Sequence, residues 1–176
     1  MISGAHLLCK SLQKHSVKDV FIYTGGAIMP VIDSLYKDTK INFLLHTHEQ
    51  SLGHAATGYA KSLGSKIPGV CLVTSGPGLT NMITPITDAN NDSTPLIVFS
   101  GQVSKNVIGT NAFQECPSVD ITTPVTKWSY CIQSTDEIQS VVDKAFHIAT
   151  DGKPGAVHID VPKCIVQNMI NFPANT

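Results

Sequence analysis

The chain has 176 residues, 42% of them apolar, 14% charged, with a formal net charge of -1. That is enough for one domain with a sizeable core and too little for a second large one. Scattered lysines exclude a nucleic-acid footprint, and no apolar run reaches membrane-spanning length.

Positions 3–16 carry Leu7, Leu8 and Leu12 at helical spacing, and the short apolar run 19–23 reads as a strand. Thr24, Gly25 and Gly26 turn the chain into a helix over 27–36, with Pro30 tolerable in its first turn. A strand over 41–45 leads to a helix over 49–63 that is rich in small residues. Next come a strand over 69–74, the turn Ser75-Gly76-Pro77-Gly78 and a helical segment to about residue 90. A strand over 95–100 opens a long irregular connection, 102–124, with a short helix near Val119. Such a connection inside a compact domain is usually functional. Strand 127–132, helix 135–150 and strand 155–161 complete the pattern, and 164–176 reads as the start of an interdomain linker.

Near-continuous apolar strands alternating with helices predict an α/β fold: a doubly wound, parallel six-stranded sheet with helices on both faces. Ligands bind such sheets beyond the C-terminal ends of the strands. The TGG, HTHEQ and TSGPG segments and the connection after residue 101 all fall there.

Five cysteines, an odd number without C-x2-C spacing, read as free thiols in a reducing compartment. The start MISGAHLLCKSL lacks the apolar core of a signal peptide, so a cytoplasmic location is expected.

Glu49 opens a helix directly after a strand. An acid there complements the helix dipole. The sharper alternative is a carboxyl group in a cleft that shares a proton with a nitrogen heterocycle, with Gly53 and Ala56 admitting another backbone or a planar ligand. TSGPGLTN is not a phosphate-binding loop, because no G-K-[ST] follows. Its glycines let a ligand approach the backbone, or they make only a tight strand-to-helix turn. His46, His48 and His54 lack a companion carboxylate at zinc-site spacing, and His48 reads as a polar cleft wall.

Five segments carry a resemblance. They are YTGGAIMPVIDSLY (23–36), HTHEQSLGHAATGYAKSLG (46–64), VCLVTSGPGLTNMITPITDANNDSTPLIVFSGQV (70–103), IGTNAFQECPSVDITTPVTKWSY (108–130) and AFHIATDGKPGAVHIDVPK (145–163). Together they resemble the N-terminal, aminopyrimidine-binding (PYR) domain of thiamine-diphosphate enzymes of the acetolactate (acetohydroxyacid) synthase type. The resemblance implies a domain over 1–163 and a thiamine-diphosphate-dependent transferase that decarboxylates pyruvate and condenses the two-carbon unit with a second 2-keto acid, in branched-chain amino acid biosynthesis. The alternative within the superfamily is another 2-keto acid decarboxylase, oxidase or carboligase. A non-catalytic module of the same fold is a third reading.

By motif, Glu49 resembles the glutamate that contacts N1' of the aminopyrimidine. Gly25, Gly26 and Ala27 resemble the segment facing the ring, and Thr74, Pro77, Gly78 and Asn81 resemble the turn that cradles it. Phe113 and Gln114 resemble a pair lining the substrate entrance, and Lys127 a polar position on the substrate and flavin side. Thr24 and Thr47 depart from the proline and arginine usual in that family. The resemblance further implies Mg2+ and FAD held by other domains, and a homodimer or homotetramer formed through the PYR domain. The active site would be completed by the C-terminal diphosphate-binding domain of the partner subunit. A small regulatory subunit is also implied, and the isolated chain is expected to be inactive.

Overall fold

A computed structural model of the chain describes residues 1–38 and 40–171; the end of the expected linker, 172–176, lies outside them. The elements follow the order β1 (Ile2–Ser3), α1 (Gly4–Lys14), β2 (Asp19–Ile22), α2 (Met29–Asp38), β3 (Asn42–Leu45), α3 (Glu49–Ser62), β4 (Gly69–Val73), α4 (Pro77–Thr80), α5 (Ile83–Asn91), β5 (Leu96–Gln102), α6 (Ser118–Thr122), β6 (Trp128–Cys131), α7 (Ile138–Thr150), β7 (Ala156–Pro162), α8 (Lys163–Gln167) and β8 (Met169–Ile170). Six strands form one parallel sheet in the order β3-β2-β4-β5-β7-β6.

The sheet sorts its side chains by strand parity. Val70 and Leu72 of β4, with Ile97 and Phe99 of β5, face α1, α2 and α7. Cys71, Val73, Leu96 and Val98 face α3 and α5. Each fully buried Leu, Ile or Phe in these layers contributes about 1.5–3 kcal/mol by leaving water, and both layers are continuous.

Three features differ from the sequence reading. The helix expected to run from 78 to about 90 is two helices, because Pro85 would remove one backbone bond and clash with a carbonyl in an unbroken helix. Restarting at Ile83 puts Pro85 in a first turn. The helix expected over 135–150 begins at Ile138; Thr135 instead donates its hydroxyl to the carbonyl of Ile165, 3.0 Å away.

The third difference is at the chain's end. Residues 163–170, which take in the first part of the expected linker, pack on the domain: α8 places Ile165 and Val166 in the core and β8 pairs antiparallel with β1, Ile2 opposite Ile170. Gly4 is needed at that junction, since a Cβ there would approach the Cα of Val166 to 3.0 Å. No described helix is long and apolar enough to cross a membrane.

Candidate cofactor cleft

Strands β2, β3, β4 and β5 all deliver their C-terminal ends to one edge of the sheet, and that edge collects the segments singled out by sequence. Glu49 is the first residue of α3 and only 5% exposed. His48 caps this helix, its Nδ1 accepting from the backbone N–H of Gln50 at 3.1 Å. His48 therefore serves the helix end as its cap. His46 lies against the ring of Phe21, and His54 faces Asp88 at 3.9 Å.

Glu49 is held from across the cleft. The amide of Asn81 donates to Glu49 Oε2 at 2.9 Å. Asn81 can do this because it sits in the break between α4 and α5. The other carboxylate oxygen, Oε1, lies 3.7 Å from the point where a Cβ on Gly78 would stand. Gly78 thus keeps the approach to the carboxyl group open.

Thr74 closes the floor. It is buried, and its Oγ1 is the one buried side-chain polar atom among the described residues without a hydrogen-bond partner. Leaving such a hydroxyl unsatisfied costs about 1–3 kcal/mol, which a ligand with a ring nitrogen or an amino group offsets. A side chain on Gly25 would fall on Thr74, so Gly25 sits directly over it, while Ala27 packs against Gly101 of β5. The donor set of one carboxyl, one orphaned hydroxyl and close-lying backbone suits a flat, nitrogen-containing ring.

The turn after β4 depends on Gly76. Its φ of 56° and ψ of -111° suit glycine alone, and a Cβ would meet the carbonyl oxygen of Gln114 at 2.6 Å. The connection after β5 is thereby laid over the cleft turn. Phe113 at its tip is 87% exposed and Gln114 is exposed beside it. Glu115 closes this loop on itself, accepting from the backbone N–H groups of Gly109 and Ala112. Those two N–H groups hold its carboxyl below the usual range.

Lys127 is not brought to this edge. It precedes β6 at the opposite end of the sheet, where its Nζ donates to the carbonyls of Ile148 and Asp151 at the C-terminus of α7. Its expected place on the substrate side is corrected to a helix-end contact. Lys163, which follows β7, is at the strand-end side and lines a surface cavity with Gly26, Met29 and Tyr36. The signal for it was its position directly after an apolar strand. Gly53 and Ala56, expected to admit a second chain or a ligand, are used internally. A Cβ on Gly53 would strike Pro85 of α5, and Ala56 is fully buried against β4.

Residues 2–122 match the family model "Thiamine pyrophosphate enzyme, N-terminal TPP binding domain". The chain is 47% identical over 171 residues to the mitochondrial acetolactate synthase of Schizosaccharomyces pombe, covering 97% of the chain and 25% of that protein. It is 45% identical over 171 residues to the acetolactate synthase large subunit IlvB1 of Mycobacterium tuberculosis, covering 97% of the chain and 27% of that protein. With the mitochondrial acetolactate synthase catalytic subunit of Saccharomyces cerevisiae the identity is 44% over 175 residues, or 99% of the chain and 25% of that protein. The chain thus spans about a quarter of the length of these relatives.

Proposed function

Since the chain belongs to the thiamine pyrophosphate enzyme family, as its N-terminal cofactor-binding domain, we propose that the cleft around Glu49 holds the aminopyrimidine ring of thiamine diphosphate, and that the full-length protein is an acetolactate synthase. The carrying observation is the trio of Glu49, its partner Asn81 and the unpartnered hydroxyl of Thr74, gathered at the C-terminal edge of a parallel sheet.

When bound, the cofactor supplies the carbon nucleophile and electron sink for decarboxylation of a 2-keto acid. The residues of this chain bind, orient and move a proton. Asn81 fixes Glu49 through Oε2, which leaves Oε1 as the oxygen that exchanges a proton with ring nitrogen N1'. Thr74 Oγ1 would offer its hydroxyl to a polar group of the same ring. Gly25, Gly26 and Ala27 would face the ring, and Pro77 and Gly78 would cradle it. Phe113 and Gln114 line the entrance.

The diphosphate, its Mg2+ and an FAD belong in this reading to other parts of the full-length protein, with the C-terminal domain of a partner subunit completing the site in a homodimer or homotetramer. A small regulatory subunit is consistent with it. Five free cysteines support a reducing compartment such as the cytoplasm.

The test is product analysis with the full-length protein, thiamine diphosphate, Mg2+ and pyruvate. Acetolactate is the expected product. Acetaldehyde or acetyl phosphate would move the assignment to a decarboxylase or an oxidase. The 176-residue chain alone is expected to release no product and to bind the cofactor weakly in calorimetric titration. A submicromolar, Mg2+-dependent dissociation constant for it would refute the division of the site between domains.

A further inference from the structure

On the same face of the sheet as the cleft, the ends of β5, β6 and β7 bury a polar cluster that the proposed chemistry does not use. Ser100, Gln102, Ser118, Thr122, His158 and Asp160 are each at most 3% exposed. Full burial is unusual for Gln and Asp, and demands partners. Ser100 donates to Asp160 Oδ1 at 2.7 Å and also meets His158 Nε2 at 2.7 Å, while His158 Nδ1 faces Ser129 and Thr122 at 2.9 Å each.

Gln102 is the member that leaves the sheet. Its Oε1 accepts from the N–H of Val103 at 2.9 Å, which fixes the amide orientation. The NH2 group must then face outward from that bond. It meets Asp160 Oδ2 at 2.9 Å, Ser118 Oγ at 2.9 Å and the carbonyl of Cys116 at 3.2 Å. A carboxylate and a carbonyl only accept, so a two-hydrogen donor is the group that can join them.

Cys116 in turn sits on the cleft turn, its Sγ 4.0 Å from the carbonyl oxygen of Gly76, two residues after the Gln114 carbonyl that covers Gly76. Glu115 ties Gly109 and Ala112 together, which closes residues 109–115 into one hydrogen-bonded loop. The anchor of that loop at Cys116 therefore sets where Gln114 presses on the turn.

We propose that Gln102, oriented by Asp160, is a positioning residue that locks the 109–116 loop onto the Gly76 turn and so holds the pyrimidine cradle in its binding geometry. The proposal deepens the cofactor reading of the cleft and rests on it. Gln102 touches neither cofactor nor substrate; it acts through Cys116 and Gly76.

The test uses the full-length protein and Gln102→Met, which keeps the length of the side chain and removes both donors. Ser129→Ala is the comparison, since it trims the same cluster on the His158 side, away from the loop. Two measurements are made: hydrogen exchange of the backbone amides of 109–116, and thiamine diphosphate affinity by titration in Mg2+.

In Gln102→Met, loop exchange is expected to rise about tenfold, and the cofactor dissociation constant to rise on the order of tenfold, because small misplacements of binding groups are costly. At saturating cofactor, kcat should stay within about threefold. Ser129→Ala should leave both readouts within about twofold while lowering the melting temperature. If Gln102→Met does not fold, Asp160→Asn, which leaves Ser100 and the Gln102 amide to compete for a single oxygen, should move both readouts in the same direction by about threefold. Unchanged exchange and affinity in a folded Gln102 or Asp160 variant, or equal loosening by Ser129→Ala, would overturn the proposal. Loop exchange needs no cofactor, so failure of the parent protein to bind thiamine diphosphate would sink the cleft reading separately from the locking role.

Discussion

Replacing Glu49 by Gln in the full-length protein separates the chemical role of this residue from its structural one. The side chains are nearly isosteric, and the site is buried, so the substitution opens no cavity. The Asn81 amide, now 2.9 Å from Oε2, can still donate to the carbonyl oxygen of a glutamine. That bond falls from the charge-assisted range of about 1.5–3 kcal/mol to the neutral range of about 0.5–1.5 kcal/mol. Losing a negative charge from the first turn of α3 removes a further ~0.3–1 kcal/mol of helix-dipole stabilisation. Stability should therefore fall by only about 1.3–2.5 kcal/mol. Activity should fall far more. With its oxygen facing Asn81, the glutamine presents an NH2 group to the ring and can neither take nor return a proton. General acid–base contributions are typically ~10²–10⁴-fold in rate. Steady-state pyruvate consumption at saturating thiamine diphosphate, beside a thermal melt, measures both. A folded Glu49→Gln enzyme within about threefold of the parent rate would refute the assignment of Glu49 as the proton-exchanging group.

Burial pushes the pKa of His158 down to about 3, so the unfolded chain binds a proton that the folded chain refuses. Stability should fall as pH drops below about 6.5, with a slope of up to roughly 1.4 kcal/mol per pH unit from this residue, and His158→Gln should flatten urea midpoints measured between pH 4 and 7. Asp160 has the opposite sign: burial pushes its pKa up to about 6, so its contribution falls as pH rises from about 4 to 6. Asp160→Asn should accordingly steepen the same profile, and a flatter one would contradict the buried network. Gly76→Ala forces both an unfavourable φ and a contact with the Gln114 carbonyl, and should destabilise by at least about 1–3 kcal/mol in thermal melts. Lys127→Met, by losing the contacts with the α7 terminus, should lower stability by less than about 1 kcal/mol and leave full-length turnover within twofold; a large rise in KM would restore Lys127 to the substrate side.

The sheet and the character of its cleft edge were legible in the chain before any coordinates. Apolar runs such as 70–73 and 96–99 are local, and their two-sided burial follows from composition and strand parity without knowledge of neighbours. Glu49 was legible because strand, turn and helix start are adjacent in the chain, and the turn at 75–78 announced itself through its glycines. Pairings between residues far apart in the chain were set by the fold. Asn81 reaches Glu49 across 32 positions, and does so because Pro85 breaks a helix whose periodicity looked continuous. Lys127 opens one apolar strand and Lys163 follows another, which in a parallel sheet puts them at opposite ends; what no local pattern carries is that Lys127 meets the C-terminus of α7 while Lys163 lines a cavity with Gly26 and Met29. The bond from Gln102 to Asp160 spans 58 positions and joins two strands whose adjacency is fixed by the order β5-β7-β6. Periodicity records which way a side chain points along its own element; which partner waits there is set by the crossing of the chain, and no local pattern encodes that.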